Sequence, residues 1–288
     1  MRATRLIVPA LLILTMAAGA AVADPLSPIE ELGKALYFDS NLSTPPGQAC
    51  AACHAPETGF TGPSSKINAT QVAYPGAVHV RAGNRKPPTA AYGGFSPVMY
   101  YDEDEGLFIG GMFWDGRATG WTLGDPLAEQ AIGPFLNPLE QNNPHPSQVC
   151  GKVARSDYAD LFVAVWGEEA LDPVHDVEGM YVKVGLSIAA FEASGEINPF
   201  TAKFDYYLAG LVDLTSEEQW GLELFEGKAQ CALCHISEPG EDGAPPLFTD
   251  FTYDNLGIPA NYDLPFYGAT RKYNIAGYEW VDQGLGGF

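Results

Sequence analysis

At 288 residues, 46% hydrophobic and 18% charged, the chain is long enough for two modest domains and too apolar for a disordered segment. Its net charge is −21 and it carries no extended Lys/Arg patch, which excludes nucleic acid as an expected partner. The 32 Gly and 23 Pro predict long loops between helices.

Arg2 and Arg5 precede an apolar run from Leu6 to about Val22, and Ala21-Val22-Ala23 fits an Ala-x-Ala cleavage site before Asp24. This predicts a signal peptide over residues 1–23 and a periplasmic protein. The run is short for a membrane span, with an uncleaved anchor as the alternative, and no span is expected after signal cleavage. Ser27-Pro28-Ile29-Glu30 is a capping box with Pro at the first helical position, and it starts a helix that runs through Phe38. From about Pro56 to Phe113 the chain is rich in Gly, Pro and Ser without helical periodicity, which reads as loops packed over a bound group. The run Asp102-Glu103-Asp104-Glu105 within it reads as a solvated loop rather than a metal site. Two helices follow. Tyr158, Leu161, Phe162 and Val165 share one face, and Val177, Tyr181, Val184, Ile188 and Phe191 recur at helical spacing. Both faces are expected in a core. Residues 195–210 should join two domains, 24–205 and 206–288. Thr215-Ser216-Glu217-Glu218 then forms a second capping box, with a helix through Phe225. Both capped helices carry Gly-x-x-Leu followed by an aromatic residue, Gly33 to Tyr37 and Gly221 to Phe225. This internal duplication argues for two related domains.

Each copy leads into a Cys-x-x-Cys-His: Cys50-Ala51-Ala52-Cys53-His54 and Cys231-Ala232-Leu233-Cys234-His235. Two thiols at this spacing can each form a thioether to one vinyl group of a porphyrin, and the adjacent His then binds iron. A single Cys-x-x-Cys could equally be a redox dithiol, half a zinc site or a structural disulfide. Two copies, each followed by His and preceded by a matched helix in an exported chain, favour two covalently bound haems c. His54 and His235 are then the proximal ligands. Cys150 is left over and reads as a buried thiol, with an intermolecular disulfide as the alternative. His145 and His175 read as surface residues. Met99 and Met112 could approach a haem, but their spacing singles out neither. An acidic surface serves solubility, and it would also steer basic electron carriers.

Further motifs carry a more specific resemblance. Phe113-Trp114-Asp115-Gly116-Arg117-Ala118, Glu129-Gln130-Ala131, Gly133-Pro134, Asn137-Pro138-Leu139-Glu140, Arg85 with Pro88-Thr89, and Leu32 to Phe38 resemble the bacterial dihaem cytochrome c peroxidases and related methylamine-utilisation (MauG) enzymes. Phe248-Thr249-Asp250-Phe251 through Asn255-Leu256-Gly257 looks most like the MauG branch. The resemblance implies a mainly α fold of two cytochrome c-like domains, each with a covalently bound haem, joined by Gly/Pro-rich loops. It implies a peroxide-reactive haem on His54 and an electron-feeding haem on His235. Trp114 resembles the tryptophan between the haems. Gln130 and Glu140 match distal-pocket residues, Glu140 being the acid–base group. His79 resembles the removable distal His that some members use as an iron ligand.

The chain also departs from the pattern. Lys86 stands where the family has an Asn that helps bind an interdomain calcium, which leaves calcium open here. Family members continue well past the position of Phe288, and that part normally supplies the second haem's distal ligand, Met in peroxidases and Tyr in the MauG branch. The resemblance thus implies a fragment or a truncated form, and no residue here is assigned to that role. The function expected is reduction of hydrogen peroxide to water with electrons from a small c-type cytochrome or copper protein. The alternatives are a MauG-like oxidase acting on a partner protein and a dihaem electron carrier without enzymatic activity. Many relatives dimerise, so a homodimer is allowed, although no segment demonstrates an interface.

Overall fold

A computed structural model describes residues 25–240 and 243–287, so the signal-peptide reading of residues 1–23 lies outside the described residues. The first helix, α1 (Pro28–Phe38), begins where the sequence places it. The Glu30 carboxylate accepts from both the backbone N–H and the hydroxyl of Ser27 at 2.6 Å, satisfying donors that a helix start leaves free. A short α2 (Ser65–Ala69) and an antiparallel hairpin, β1 (Tyr100–Asp102) with β2 (Leu107–Ile109), are the regular elements of the long loop region. The acidic run forms the exposed hairpin turn: the Asp102 carboxylate accepts from the N–H groups of Asp104 and Glu105, and Gly106 supplies a positive φ.

Four helices follow: α3 (Pro126–Leu136), α4 (Pro146–Val153), α5 (Ala159–Trp166) and α6 (Val177–Glu192). The last is the hub. Helices α1, α3 and α4 pack against α6, and α5 packs on α1. The apolar stripe expected on α6 is there, with Val184, Ile188 and Phe191 buried among Leu32, Leu36, Tyr37, Phe135 and Phe162. Each large side chain so buried contributes roughly 1.5–3 kcal/mol. Two polar groups in this core are paired across it: the Tyr181 hydroxyl donates to the Ile132 carbonyl at 2.6 Å and Trp166 Nε1 to Ser187 Oγ at 3.0 Å. Cys150 is buried, with its thiol directed at the Val177 carbonyl. Helices α7 (Lys203–Leu208) and α8 (Ser216–Glu226) complete the set, α7 lying in the stretch read as a linker. Helix α8 starts at the second capping box, where Thr215 and Glu218 exchange hydrogen bonds of 2.7 and 3.2 Å.

Helices α3 and α4 have no place in the sequence reading. Gly133 and Pro134 sit inside α3 and Gly151 inside α4, and such residues weaken a helical pattern read locally. The chain after residue 261 is irregular and turns back. Leu264, Phe266 and Tyr267 pack with Ala73, Ala82 and Leu139. The hairpin end joins the later segment too: Gly110 N–H donates to the Phe251 carbonyl at 2.9 Å and the Tyr253 hydroxyl to the Gly110 carbonyl at 2.8 Å.

The two Gly-x-x-Leu helices differ in what meets the glycine. A Cβ at Gly33 would overlap the Ser187 carbonyl and crowd Phe191, whereas one at Gly221 meets nothing within 4 Å. Gly33→Ala is therefore expected to force α1 away from α6 and destabilise the protein by about 1–3 kcal/mol or more. Gly221→Ala should be neutral or stabilising by up to about 1 kcal/mol. Denaturant unfolding of both variants checks this, and equal effects would contradict the packing described.

Candidate active site

The main cleft lies between the α1–α6 core and the loops that precede α3. About 1190 Å³ of empty space lies between its walls and out through its open mouth. Cys50, Cys53 and His54 line it, together with Gln130, Glu140, Trp114 and apolar Met112, Leu127 and Ile188. Cys50–Ala52 form a single 3-10 turn, and the His54 N–H donates to the Cys50 carbonyl at 3.0 Å. The His54 ring Nδ1 lies 2.9 Å from the Pro88 carbonyl. A carbonyl only accepts, so Nδ1 carries the proton and Nε2 keeps its lone pair for a metal. Burial lowers the His54 pKa, against the Pro88 and Phe60 carbonyls, which favours the neutral, metal-binding ring. Burial likewise pushes the Cys53 thiol up to about 11. Protonated thiols, an imidazole with a free Nε2 and a large apolar-walled cleft together fit a covalently attached haem. The thiols are further held by amides, Gln48 Nε2 at 3.6 Å from Cys53 Sγ and Gln141 Nε2 at 3.8 Å from Cys50 Sγ.

The second motif repeats this geometry. Cys231–Leu233 form a 3-10 turn, the His235 N–H donates to the Cys231 carbonyl at 3.0 Å, and His235 Nδ1 lies 2.9 Å from the Phe248 carbonyl. Phe248 is held by ring contacts to Phe204 of α7 and Phe225 of α8, with centroids 5.4 and 5.9 Å away. His235 and Ile236 are exposed, unlike their counterparts His54 and Ala55, whereas Leu233 and its counterpart Ala52 are both exposed.

Over the first motif, α3 and its C-terminal turn present the polar residues. Asp125 caps α3 by accepting from Leu127 and Ala128, and Glu129 pins the preceding loop by accepting from Gly120, Thr122 and Leu123. This fixes α3 with Gln130 on the cleft side. The turn after α3 is tied by Asn137, whose side chain accepts from Leu139 N–H and whose carbonyl accepts from Glu140 N–H at 3.0 Å. Burial raises the Glu140 pKa, and Arg117 and Asn137 only partly oppose it. The loop before it rests on the same turn: Ala77 N–H donates to the Glu140 carbonyl at 2.7 Å. His79, at the exposed tip of that loop, does not line the cleft, so the structure does not gather it with the other site residues. His145 and His175 are exposed. Met112 reaches the cleft, whereas Met99 is buried elsewhere.

The sequence profile of the di-haem cytochrome c peroxidases matches residues 27–213. The chain belongs to this family. It is 34% identical over 258 residues to the methylamine utilization protein MauG of Paracoccus denitrificans, covering 88% of this chain and 61% of that protein. It is 27% identical to the cytochrome c551 peroxidase of Nitrosomonas europaea, covering 89% and 66%. The diheme peroxidase BthA of Burkholderia thailandensis superposes with a TM-score of 0.76 at 31% identity, covering 92% of this chain and 61% of that one. The chain thus spans about three fifths of the length of these relatives.

Two of the family-like motifs meet through charge. Arg85 reaches Asp115 of the Phe-Trp-Asp-Gly-Arg-Ala element at 2.7 Å, and its Nε and Nη2 clamp both Asp282 oxygens at 2.6 Å. Arg117 completes the cluster on Asp115 while lying 3.7 Å above the Phe113 ring. The next residue, Lys86, accepts from Trp114 Nε1 through its carbonyl at 3.0 Å. Sequence reading missed Asp282 and Glu192, a buried carboxyl on the cleft wall. Glu192 lies four residues after Ile188 on the same core stripe, a signal that was available.

Burial would raise the Asp115 carboxyl, but the hydrogen bonds from Arg85 and Arg117 outweigh it and hold it low. Arg85 likewise holds Asp282 low. These partly exposed pairs stabilise the fold above the ordinary carboxylate range, and that share is lost as pH falls through the depressed values. Arg85→Leu should cost about 1–3 kcal/mol at neutral pH, discounted for the exposure of the pairs. The deficit relative to the parent protein should shrink as pH falls below the ordinary carboxylate range and through the depressed values, where both carboxylates protonate in either protein. Urea titrations at neutral and at acid pH measure it.

Proposed function

We propose that the chain carries two covalently bound haems c, on Cys50, Cys53, His54 and on Cys231, Cys234, His235, and that the first is the site of hydrogen peroxide reduction to water. The observation that carries this reading is the convergence of Glu140 and Gln130 with His54 on one cleft, the carboxyl held where burial raises its pKa. When bound, the haem supplies the iron that binds peroxide and passes it electrons. The residues of this chain handle the protons. Glu140, as carboxylate, would take a proton from the bound peroxide and return it to the leaving oxygen. The Gln130 amide orients the peroxide by hydrogen bonding. His54, fixed by the Pro88 carbonyl, sets the ring that faces them. Trp114, anchored on Lys86 at the cleft wall, is the proposed route for electrons from the second haem.

The remaining parts of the proposal follow the family. The two haems mark two cytochrome c-like domains, 24–205 and 206–288. The donor is a small c-type cytochrome or copper protein with a basic face, steered by the net charge of −21. The protein is exported to the periplasm, and among the described residues no helix is long and apolar enough to cross a membrane. A MauG-like oxidase is the second reading, favoured by the 34% identity to the Paracoccus protein of that name. Oxidation of a protein substrate in place of a small donor would distinguish it.

Stopped-flow oxidation of reduced cytochrome c by peroxide tests the proposal. Glu140→Gln should lower turnover about 10²–10⁴-fold. In the parent protein the rate should fall as pH drops through the Glu140 pKa, above the ordinary carboxylate range, because the base form is lost. That acid limb should vanish in Glu140→Gln. Unchanged turnover in the variant would remove Glu140 from the mechanism, and a holoprotein with two low-spin haems inert to peroxide would make the chain an electron carrier.

A further inference from the structure

Glu192 is the last residue of α6 and shares the cleft with His54, Gln130 and Glu140. It is 6% exposed, and its Oε2 has no hydrogen-bond partner among the described residues. None of the ion pairs among those residues includes it. A carboxyl this buried without donor or cation is expected to be neutral, since ionising it forfeits hydration with no return. Its position adds to this, because a helix C-terminus concentrates negative potential. Burial, then the Asp125 carboxylate at the start of α3, push it up to about 8. The other charged or titratable groups around it are Tyr37 of α1 and Cys50, and, across the cleft, Glu140, Arg85, Lys86 and Arg117. Of the two cleft carboxyls, Glu140 has Arg117 and Asn137 as partial partners, whereas none is found for Glu192.

We propose that Glu192 is the proton-uptake group of the first haem, binding a proton when the iron is reduced. This rests on the haem assignment made above. The step is balanced: one electron from the donor converts ferric to ferrous iron, and one solvent proton converts the Glu192 carboxylate to the acid. In the ferric state the iron–porphyrin core would carry one more positive charge than in the ferrous state, and that charge would support the carboxylate. Reduction would remove that charge, whereas the cleft cations Arg85, Lys86 and Arg117, none of them paired with Glu192 among the described residues, do not change with the redox state. In a water-poor cleft the interaction is stronger than in solvent, so the two events are coupled. Peroxide reduction consumes one proton per electron, and this group stores one beside the site where water forms.

The test is a spectroelectrochemical titration of the holoprotein across pH, following each haem separately, in the parent protein, Glu192→Gln and Glu140→Gln. In the parent protein the first haem's potential should fall with rising pH over the neutral to mildly alkaline range, approaching one proton per electron at its steepest. Glu192→Gln should flatten that segment, Glu140→Gln should keep it, and the second haem should be unaffected by either. An unchanged slope in Glu192→Gln overturns the proposal, as does a slope lost only in Glu140→Gln. Should Glu192→Gln fail to load haem, reduced-minus-oxidised infrared spectra of the parent protein decide. A protonated-carboxyl band that appears on reduction and shifts in D₂O supports the proposal, and no such band overturns it. Intact mass keeps the two readings apart, because a chain lacking covalent haem at Cys50 and Cys53 refutes the haem assignment itself.

Discussion

The cleft depends on one hydrogen bond, from His54 Nδ1 to the carbonyl of Pro88. It fixes the imidazole tautomer, and it also fixes the loop that carries Pro88. That loop is otherwise irregular, and its neighbouring residues are spent on the same purpose. Arg85 clamps Asp115 and Asp282, the Lys86 carbonyl anchors Trp114, and Thr89 Oγ1 donates to the Gly59 carbonyl at 2.7 Å. Four residues, Arg85, Lys86, Pro88 and Thr89, therefore register the imidazole, the tryptophan and the returning chain against one another. Proline suits this segment because it offers a carbonyl while asking for no donor, so no backbone N–H at positions 87 and 88 is left to satisfy.

The same device appears at His235, with Phe248 in place of Pro88, but its support differs. The first loop is braced by ion pairs and by the core of α1 and α6. The second is braced by aromatic contacts from α7 and α8, neither of which buries a residue fully. Gly33 and Gly221 show the same divergence at one atom each, since only the first is pressed against a crossing helix. A duplicated sequence thus yields a duplicated local geometry on unequal foundations.

How much of this was legible in sequence follows from the range of each interaction. The capping boxes close within four residues, and both form as read. The α6 face was legible because burial on one side of a helix writes a period into the chain. Helix α3 was not, because its Gly133 and Pro134 are tolerated by packing that the local pattern does not contain. The carbonyl partner of His54 lies 34 residues away, and the partner of Arg85 in the last turn lies 197 away, so neither pairing is written locally. Glu140 was found through family resemblance, and its raised pKa follows from burial that only the fold supplies.

Two carboxyls in one cleft invite the question of why both are retained. Burial acts on each, yet their surroundings push them apart. Glu140 faces Arg117 and is braced by Asn137, so its charged form remains within reach, as the proposed alternation between base and acid requires. Glu192 has Asp125 as its named electrostatic neighbour and no partner for Oε2, so its charged form needs help from elsewhere in the cleft. Arg85, Lys86 and Arg117 also line the cleft, none of them paired with Glu192 among the described residues, and the proposed haem would bring a charge that changes with each electron. Under the two proposals, a group that answers proton chemistry at the substrate and a group that answers the charge of the iron would be separated by environment alone, with the same side chain serving both.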